Sequence, residues 1–143
     1  MNRLLIKNIN IINEGIKTSG DIYIEGEFIK KIGVDLTFDN EIKIIDGNGR
    51  IAIPGMIDDQ VHFREPGLTH KGDISSESKA AIAGGVTSYF EMPNTFPNTT
   101  SRKEFKKKIQ IASKNSFANF SFMFGGTNDN IDEIKKLDDK DVA

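Results

Sequence analysis

The chain has 143 residues, of which 37% are hydrophobic and 28% are charged, a composition typical of a globular protein with about one domain or slightly more. A formal net charge of -2 gives no reason to expect nucleic acid or an anionic membrane as a partner and favours small molecules or proteins. Because the chain has no cysteine, it has no disulfide, no thiolate nucleophile and no thiolate metal ligand.

The first residues carry an apolar run that is too short for a signal peptide. No window approaches the roughly 18 consecutive apolar residues of a membrane span. We therefore expect a cytoplasmic protein.

Residues 1–53 contain short isoleucine-rich segments separated by turns with glycine and asparagine. We expect these segments to be strands that pair as antiparallel hairpins in a small β-sandwich. The predicted strands are residues 4–6, 9–12, 21–25, 28–32, 42–46 and 50–53.

Beyond Pro54, strand-like and helix-like segments alternate. The predicted strands are residues 51–57, 86–92 and 119–124, and the predicted helices are residues 75–83, 102–113 and 132–137. Ser75 or Ser76 is expected to cap the first helix, and Thr100 or Ser101 the second. This order is typical of parallel βα units. The sequence thus predicts an α/β protein with two parts, residues 1–53 and residues 54–143.

Three βα units are too few for a closed eight-stranded barrel, which needs roughly 250 residues. As an open sheet, they would leave the apolar strand 119–124 at an uncovered edge, which natural proteins avoid. We therefore expect the chain to be the front part of a larger barrel.

Four lysines lie between positions 103 and 108 of the second predicted helix. They suggest a phosphate-binding patch or, alternatively, the solvated face of an amphipathic helix. Because Phe105, Ile109 and Ala112 repeat at helical spacing, we expect the lysines to face solvent.

The first predicted βα strand is followed by a row of polar residues. In an extended segment, alternation places Gln60, His62 and Arg64 on one side. A neutral imidazole can bind a divalent metal, and a guanidinium can clamp a carboxylate with two hydrogen bonds. The alternative is a hydrogen-bonded interior histidine beside an Arg64–Glu65 ion pair. The location at a strand end, with Asn94 at the next one, favours a functional site.

Three motifs carry a resemblance to a known family: PGMIDDQVHFREPG at 54–67, AGGVT at 83–87 and EMPNT at 91–95. In this order and spacing, they resemble the front of a dihydroorotase of the cyclic amidohydrolase group, within the amidohydrolase superfamily. The resemblance implies the N-terminal part of a TIM-like (β/α)8 metal-dependent hydrolase barrel, preceded by a small β-sandwich segment. It also implies one or two zinc ions at the barrel mouth and the reversible hydrolysis of dihydroorotate to N-carbamoyl-L-aspartate in pyrimidine biosynthesis.

Carried over by position, His62 matches the second histidine of the family's His-x-His metal-ligand pair, and Arg64 and Asn94 match residues that hold the substrate carboxylate. Gln60 falls where the family has its first histidine. A neutral amide oxygen is a poor zinc ligand beside an imidazole, so we expect weakened metal binding. The other ligands and the catalytic aspartate would follow residue 143, which leaves no catalytic residue within this chain. His70 is interpreted as a loop histidine that faces solvent.

Two further possibilities stay open. Gln60 is compatible with a non-catalytic dihydroorotase-like subunit that assembles with a transcarbamoylase or with copies of itself. Allantoinase or another cyclic-amide hydrolase is the nearest enzymatic alternative.

Overall fold

The structure is a computed structural model that describes residues 3–38, 41–138 and 142–143. It is a mixed α/β protein with two compact units, Met1–Pro54 and Gly55–Ala143. Within the described residues, no helix is both long enough and apolar enough to cross a membrane.

The first unit is a five-stranded sheet built around its first strand. The strands are β1 (Arg3–Asn13), β2 (Ile16–Glu25), β3 (Phe28–Gly33), β4 (Lys43–Asp46) and β5 (Ile51–Ala52). Strands β1, β2 and β3 pair antiparallel in sequence order, as the glycine turns predict. Strands β4 and β5 instead pair parallel to β1, so the prediction of antiparallel hairpins is wrong for these two.

The predicted strands 4–6 and 9–12 form one continuous strand with a shift in register between Ile6 and Ile9. Asn8 causes the interruption because its φ of 55° lies in the left-handed region. The buried carboxylate of Asp21 holds the bulge, since it accepts hydrogen bonds from the backbone N–H groups of Asn8 (3.0 Å) and Leu36 (2.9 Å). A buried acidic group on the neighbouring strand therefore stabilises the irregularity of β1.

The second unit alternates strands and helices as the sequence predicts. It contains β6 (Met56–Val61), α1 (Ile74–Ala83), β7 (Val86–Glu91), α2 (Arg102–Asn115), β8 (Asn119–Phe122) and α3 (Ile131–Ile134). Strands β6, β7 and β8 lie side by side in this order, and both pairs are parallel. The carboxyl ends of the three strands therefore share one edge, which is where functional groups collect in parallel βα sheets.

The predicted strand 51–57 is wrong as a single element. Residues Ile51 and Ala52 pair with β1 in the first unit, whereas Met56 begins β6 in the second. Pro54 lies in the break, where its missing N–H removes a ladder hydrogen bond.

Aromatic packing forms the core of the second unit. Tyr89 and Phe122 are fully buried on neighbouring strands, and the ring of Phe63 lies 4.5 Å from that of Tyr89. Ile74 of α1 and Phe105 of α2 pack against the same cluster. The core thus fastens both helices to the sheet and buries Phe63, the residue between His62 and Arg64.

The cap of α1 differs from the prediction. Asp73, rather than Ser75 or Ser76, is the N-cap, and its carboxylate accepts a hydrogen bond of 2.8 Å from the N–H of Ser76. An aspartate and a serine have almost equal capping preference, so the sequence alone does not separate them. Ser101 caps α2, as predicted, through the N–H of Glu104.

Candidate functional site

The candidate site lies in the loops that leave β6 and β7. Strand β6 ends at Val61, so His62 and Arg64 belong to the loop that leads to α1. The expectation that strand alternation places Gln60, His62 and Arg64 on one side fails at Arg64, because its φ of 70° is not an extended conformation. The positions of these side chains are set by the loop rather than by the strand.

His62 and Asn94 meet at this edge. The Nδ1 atom of His62 lies 2.9 Å from the Oδ1 atom of Asn94. An amide oxygen can only accept a hydrogen bond, so in this arrangement Nδ1 carries a proton, and in the neutral imidazole the lone pair is then on Nε2. Both side chains are exposed, and the Nε2 atom is therefore available to a ligand.

A partner on one ring nitrogen fixes the tautomer of a metal-binding histidine. His62 fits this requirement, and Asn94 is the partner. The described residues contain no group of three histidine, aspartate or glutamate side chains that could hold a metal ion by themselves. Gln60 is exposed in β6, and its backbone N–H donates to Asp58 rather than to a residue of the loop. The described part of the chain therefore fits a metal as the source of one imidazole ligand and does not supply a complete ligand set by itself.

Arg64 has a strained backbone and an unengaged side chain. Its N–H donates to the Oε1 atom of Glu91, 3.1 Å away, at the end of β7. Among the described residues, the guanidinium has no ion-pair partner, and the carboxylate of Glu65 instead accepts a hydrogen bond of 2.9 Å from the N–H of Ile74. The alternative in which Arg64 pairs with Glu65 is thus not observed. Strained backbone at a bulky non-glycine residue occurs more often at functional sites than elsewhere.

Behind Arg64 lies a buried ion pair that the sequence prediction missed. Lys108 of α2 is 0% exposed and pairs with Glu91, which is 1% exposed. The lysine also donates to the carbonyl of Met92 (2.8 Å), and its Nζ atom lies 5.0 Å from the centre of the Phe122 ring. The prediction that the lysines of α2 face solvent is therefore wrong for Lys108, although Lys103, Lys106 and Lys107 are exposed.

Burial dominates the ionisation of this pair. It raises the pKa of Glu91 and lowers the pKa of Lys108, and the attraction between the two groups opposes both shifts. The sequence offered one signal for Lys108. Since positions 105, 108 and 112 lie on one helical face, Lys108 falls between two core residues of α2.

The two loops of the site also touch each other through their backbones. The N–H of Phe96 donates to the carbonyl of Pro66 (3.0 Å). Gly67 has a φ of +84°, and a Cβ atom at this position would overlap the carbonyl of Phe96. Only glycine allows the loop after β6 to approach the loop after β7 this closely.

Replacing Gly67 by alanine should therefore destabilise the second unit by more than the usual cost of alanine in a left-handed conformation, about 1 kcal/mol. Gly85 is the matched control, because its φ is +89° but a Cβ there would meet nothing within 4 Å. The measurement is denaturant unfolding of both variants. Equal losses in Gly67→Ala and Gly85→Ala would show that the contact with Phe96 is unimportant.

A small cavity opens beside Asn94. It has a volume of about 180 Å³, and its lining combines amide and hydroxyl groups with glycine backbone. The lining residues are Pro93, Asn94, Asn98, Thr100, Gly125, Gly126 and Thr127. The polar groups that follow β7 and β8 thus border the same space as Asn94.

Solved structures with a similar fold include hydantoinases. The L-hydantoinase (dihydropyrimidinase) of Arthrobacter aurescens superposes with a TM-score of 0.89 at 30% identity over 95% of this chain and 30% of that chain. The D-hydantoinase (dihydropyrimidinase) of a Thermus species superposes with a TM-score of 0.76 at 30% identity over 93% of this chain and 30% of that chain. These similarities indicate a cyclic amidohydrolase family.

Residues 49–125, just over half of the chain, match the model of the dihydro-orotase-like family, and the chain belongs to that family. The dihydroorotase of Methanosarcina mazei is 39% identical over 132 residues, which are 92% of this chain and 29% of that protein. The dihydroorotase of Streptococcus thermophilus strain CNRZ 1066 is 36% identical over 141 residues, 94% of this chain and 33% of that protein. The chain thus spans about a third or less of the length of these relatives.

Proposed function

We propose that this chain contributes one metal ligand and the carboxylate-binding groups of a cytoplasmic dihydroorotase, which interconverts dihydroorotate and N-carbamoyl-L-aspartate in pyrimidine biosynthesis. The contact between His62 and Asn94, with Arg64 in the same loop, is the observation that carries the proposal. In the complete protein, β6, β7 and β8 would be the first three strands of a (β/α)8 barrel, and the sheet of the first unit would belong to a small β-sandwich.

The proposed role of each side chain follows from the hydrogen-bond donors that it can offer to a substrate. The Arg64 guanidinium, which has no ion-pair partner among the residues that the structure describes, can clamp the substrate carboxylate with two hydrogen bonds. Asn94 uses Oδ1 toward His62, which leaves its NH2 group to donate to the same carboxylate. Together they select an acidic cyclic amide over a neutral one.

The Nε2 atom of His62 would hold a zinc ion together with ligands from outside this chain. Such an ion would polarise the ring carbonyl and lower the pKa of a water molecule. Asn94 keeps the imidazole in the tautomer that this requires, because its Oδ1 atom accepts a hydrogen bond from Nδ1–H of His62.

Gln60 favours a second candidate, a dihydroorotase-like subunit without catalysis. An exposed amide stands where the family pattern has an imidazole, and no other described side chain completes a three-residue cluster of metal ligands. Such a subunit would keep the fold and act through a partner such as a transcarbamoylase or a second copy.

The two candidates are separated by a hybrid protein in which this chain replaces the matching region of the Methanosarcina mazei dihydroorotase. We expect the hybrid to hydrolyse dihydroorotate with bound zinc. We also expect Gln60→His to increase zinc affinity about tenfold or more, since imidazole is a better zinc ligand than an amide. Zinc content and dihydroorotate turnover are the measurements.

His62→Ala in the same hybrid is the control, and it should lose both zinc and turnover. A hybrid that binds zinc after Gln60→His but never turns over dihydroorotate would support the non-catalytic subunit. Turnover of hydantoin or allantoin in preference to dihydroorotate would replace the proposed substrate by a neutral cyclic amide.

A further inference from the structure

The buried Lys108–Glu91 pair connects helix α2 to both loops of the candidate site. Lys108 approaches the end of β7 from α2 and makes two polar contacts there, with the Glu91 carboxylate and with the carbonyl of Met92. Both partners are backbone or side-chain atoms of the residues that lead directly into the loop after β7. The lysine is therefore placed at the base of the site and not at its opening.

Each contact continues to one of the two residues proposed to bind the carboxylate. Through Glu91, the pair reaches the N–H of Arg64, which holds the left-handed turn of the loop after β6. Through the carbonyl of Met92, it fixes the chain two residues before Asn94, which in turn contacts His62. The ammonium group of Lys108 is thus linked to Arg64 through Glu91 and to the segment before Asn94 through Met92.

Stability alone is a weak explanation for such a pair. A buried ion pair in general contributes little more than well-packed apolar side chains of the same volume, because both charges lose their hydration. Lys108 lies on the apolar face of α2 between the core residues Phe105 and Ala112. An apolar pair could neither accept a hydrogen bond from the N–H of Arg64 nor donate one to the carbonyl of Met92.

We propose that Lys108 and Glu91 are positioning residues for the binding of the substrate carboxylate. They hold the backbone of Arg64 and the segment before Asn94 so that the guanidinium and the amide converge on one anion. This role rests on the proposed function for its substrate, but the backbone order that it requires can be measured without any substrate.

Two double variants test this role, and they differ in whether residue 91 can accept a hydrogen bond from the N–H of Arg64. In Glu91→Met/Lys108→Met, the buried charges are removed together and residue 91 can no longer accept the hydrogen bond from Arg64. In Glu91→Gln/Lys108→Met, the charges are also gone, but the amide oxygen still accepts it. Because neither variant leaves an unpaired buried charge, we expect both to fold.

The first measurement is hydrogen exchange of the Arg64 amide, followed by NMR in the 143-residue chain. In the Met/Met variant we expect exchange of the Arg64 amide to accelerate by about tenfold, because one hydrogen bond to a charged group is lost. In the Gln/Met variant we expect the exchange rate to stay within about threefold of that in the unchanged chain. An Arg64 amide that exchanges equally in all three proteins would overturn the proposal.

The second measurement uses the hybrid described above. For Met/Met we expect KM for dihydroorotate to rise about tenfold while kcat changes less than about threefold, with a smaller rise in KM for Gln/Met. Unchanged KM in a Met/Met variant that is less stable would show a purely structural pair and sink the proposal. If the unchanged hybrid fails to turn over dihydroorotate, the proposed function fails, and the exchange of the Arg64 amide alone decides the positioning role.

Discussion

Replacing Lys108 by methionine alone should lower the free energy of unfolding by about 3–5 kcal/mol, the cost of leaving one partner of a buried ion pair without the other. Glu91 is 1% exposed, and without the lysine its charge would be compensated only by backbone N–H groups such as that of Arg64. Burial already raises the pKa of Glu91 against the attraction of Lys108, so the loss of that attraction raises the pKa further.

The sign of the pH dependence follows from this raised pKa. A carboxyl group with a pKa above its unfolded value stabilises the folded state below that unfolded value, and the contribution is lost as the pH rises through the folded pKa. The decrease in the free energy of unfolding caused by Lys108→Met should therefore be smaller near pH 4.5, the ordinary pKa of a glutamate, than at about pH 7. Urea unfolding at both pH values measures it.

The matched control is the Glu91→Met/Lys108→Met protein, which should recover most of the lost stability at about pH 7 because no unpaired charge remains. A single Lys108→Met variant as stable as this double variant would mean that the carboxylate finds water or another partner. That result would contradict the buried pair as described.

Replacing Arg64 by glycine should have opposite effects on stability and on substrate binding. The φ of 70° costs a non-glycine residue about 1–2 kcal/mol, and glycine avoids this strain. Part of the gain is offset because glycine loses more conformational entropy on folding. We therefore expect the free energy of unfolding to rise by about 0.5–1 kcal/mol. In the hybrid, the loss of a charged two-pronged donor should raise KM for dihydroorotate about 100-fold.

Arg64→Ala separates the two effects, because alanine loses the guanidinium but keeps the strain. It should show the same rise in KM without the gain in stability. Arg64→Lys tests the two-pronged geometry of the guanidinium, and we expect it to weaken the binding of an acidic substrate more than that of a neutral one. If Arg64→Gly left KM for dihydroorotate unchanged, Arg64 would not be the carboxylate-binding residue.

The sequence predicted most elements of the fold because they depend on local patterns. Glycine turns and isoleucine alternation identify β2 and β3, and the capping signal at Ser101 identifies the start of α2. The failures involve contacts between distant residues. The parallel pairing of β4 and β5 with β1 and the bulge at Asn8 depend on partners that local periodicity does not reveal.

For the site, the sequence singled out His62, Arg64 and Asn94, and the structure brings His62 and Asn94 into contact. Their roles as ligand and substrate binders stay predictions. Glu91 and Lys108 were missed because charged residues are almost never fully buried without a partner, and the partner here is on another element. The left-handed backbone of Arg64 was missed because no glycine marks it.

The loop between β6 and α1 is held at several points along its length. Backbone hydrogen bonds join Leu68 to Arg64 and Lys71 to Leu68, and the Glu65 carboxylate fastens the loop to the start of α1. Ordering a free backbone costs roughly 1–2 kcal/mol per residue, and a loop that orders only on binding loses this amount from its affinity. Since these contacts lie within the chain, much of the entropy of ordering is lost during folding, and we expect an anion that binds Arg64 to lose less affinity than it would with a free loop.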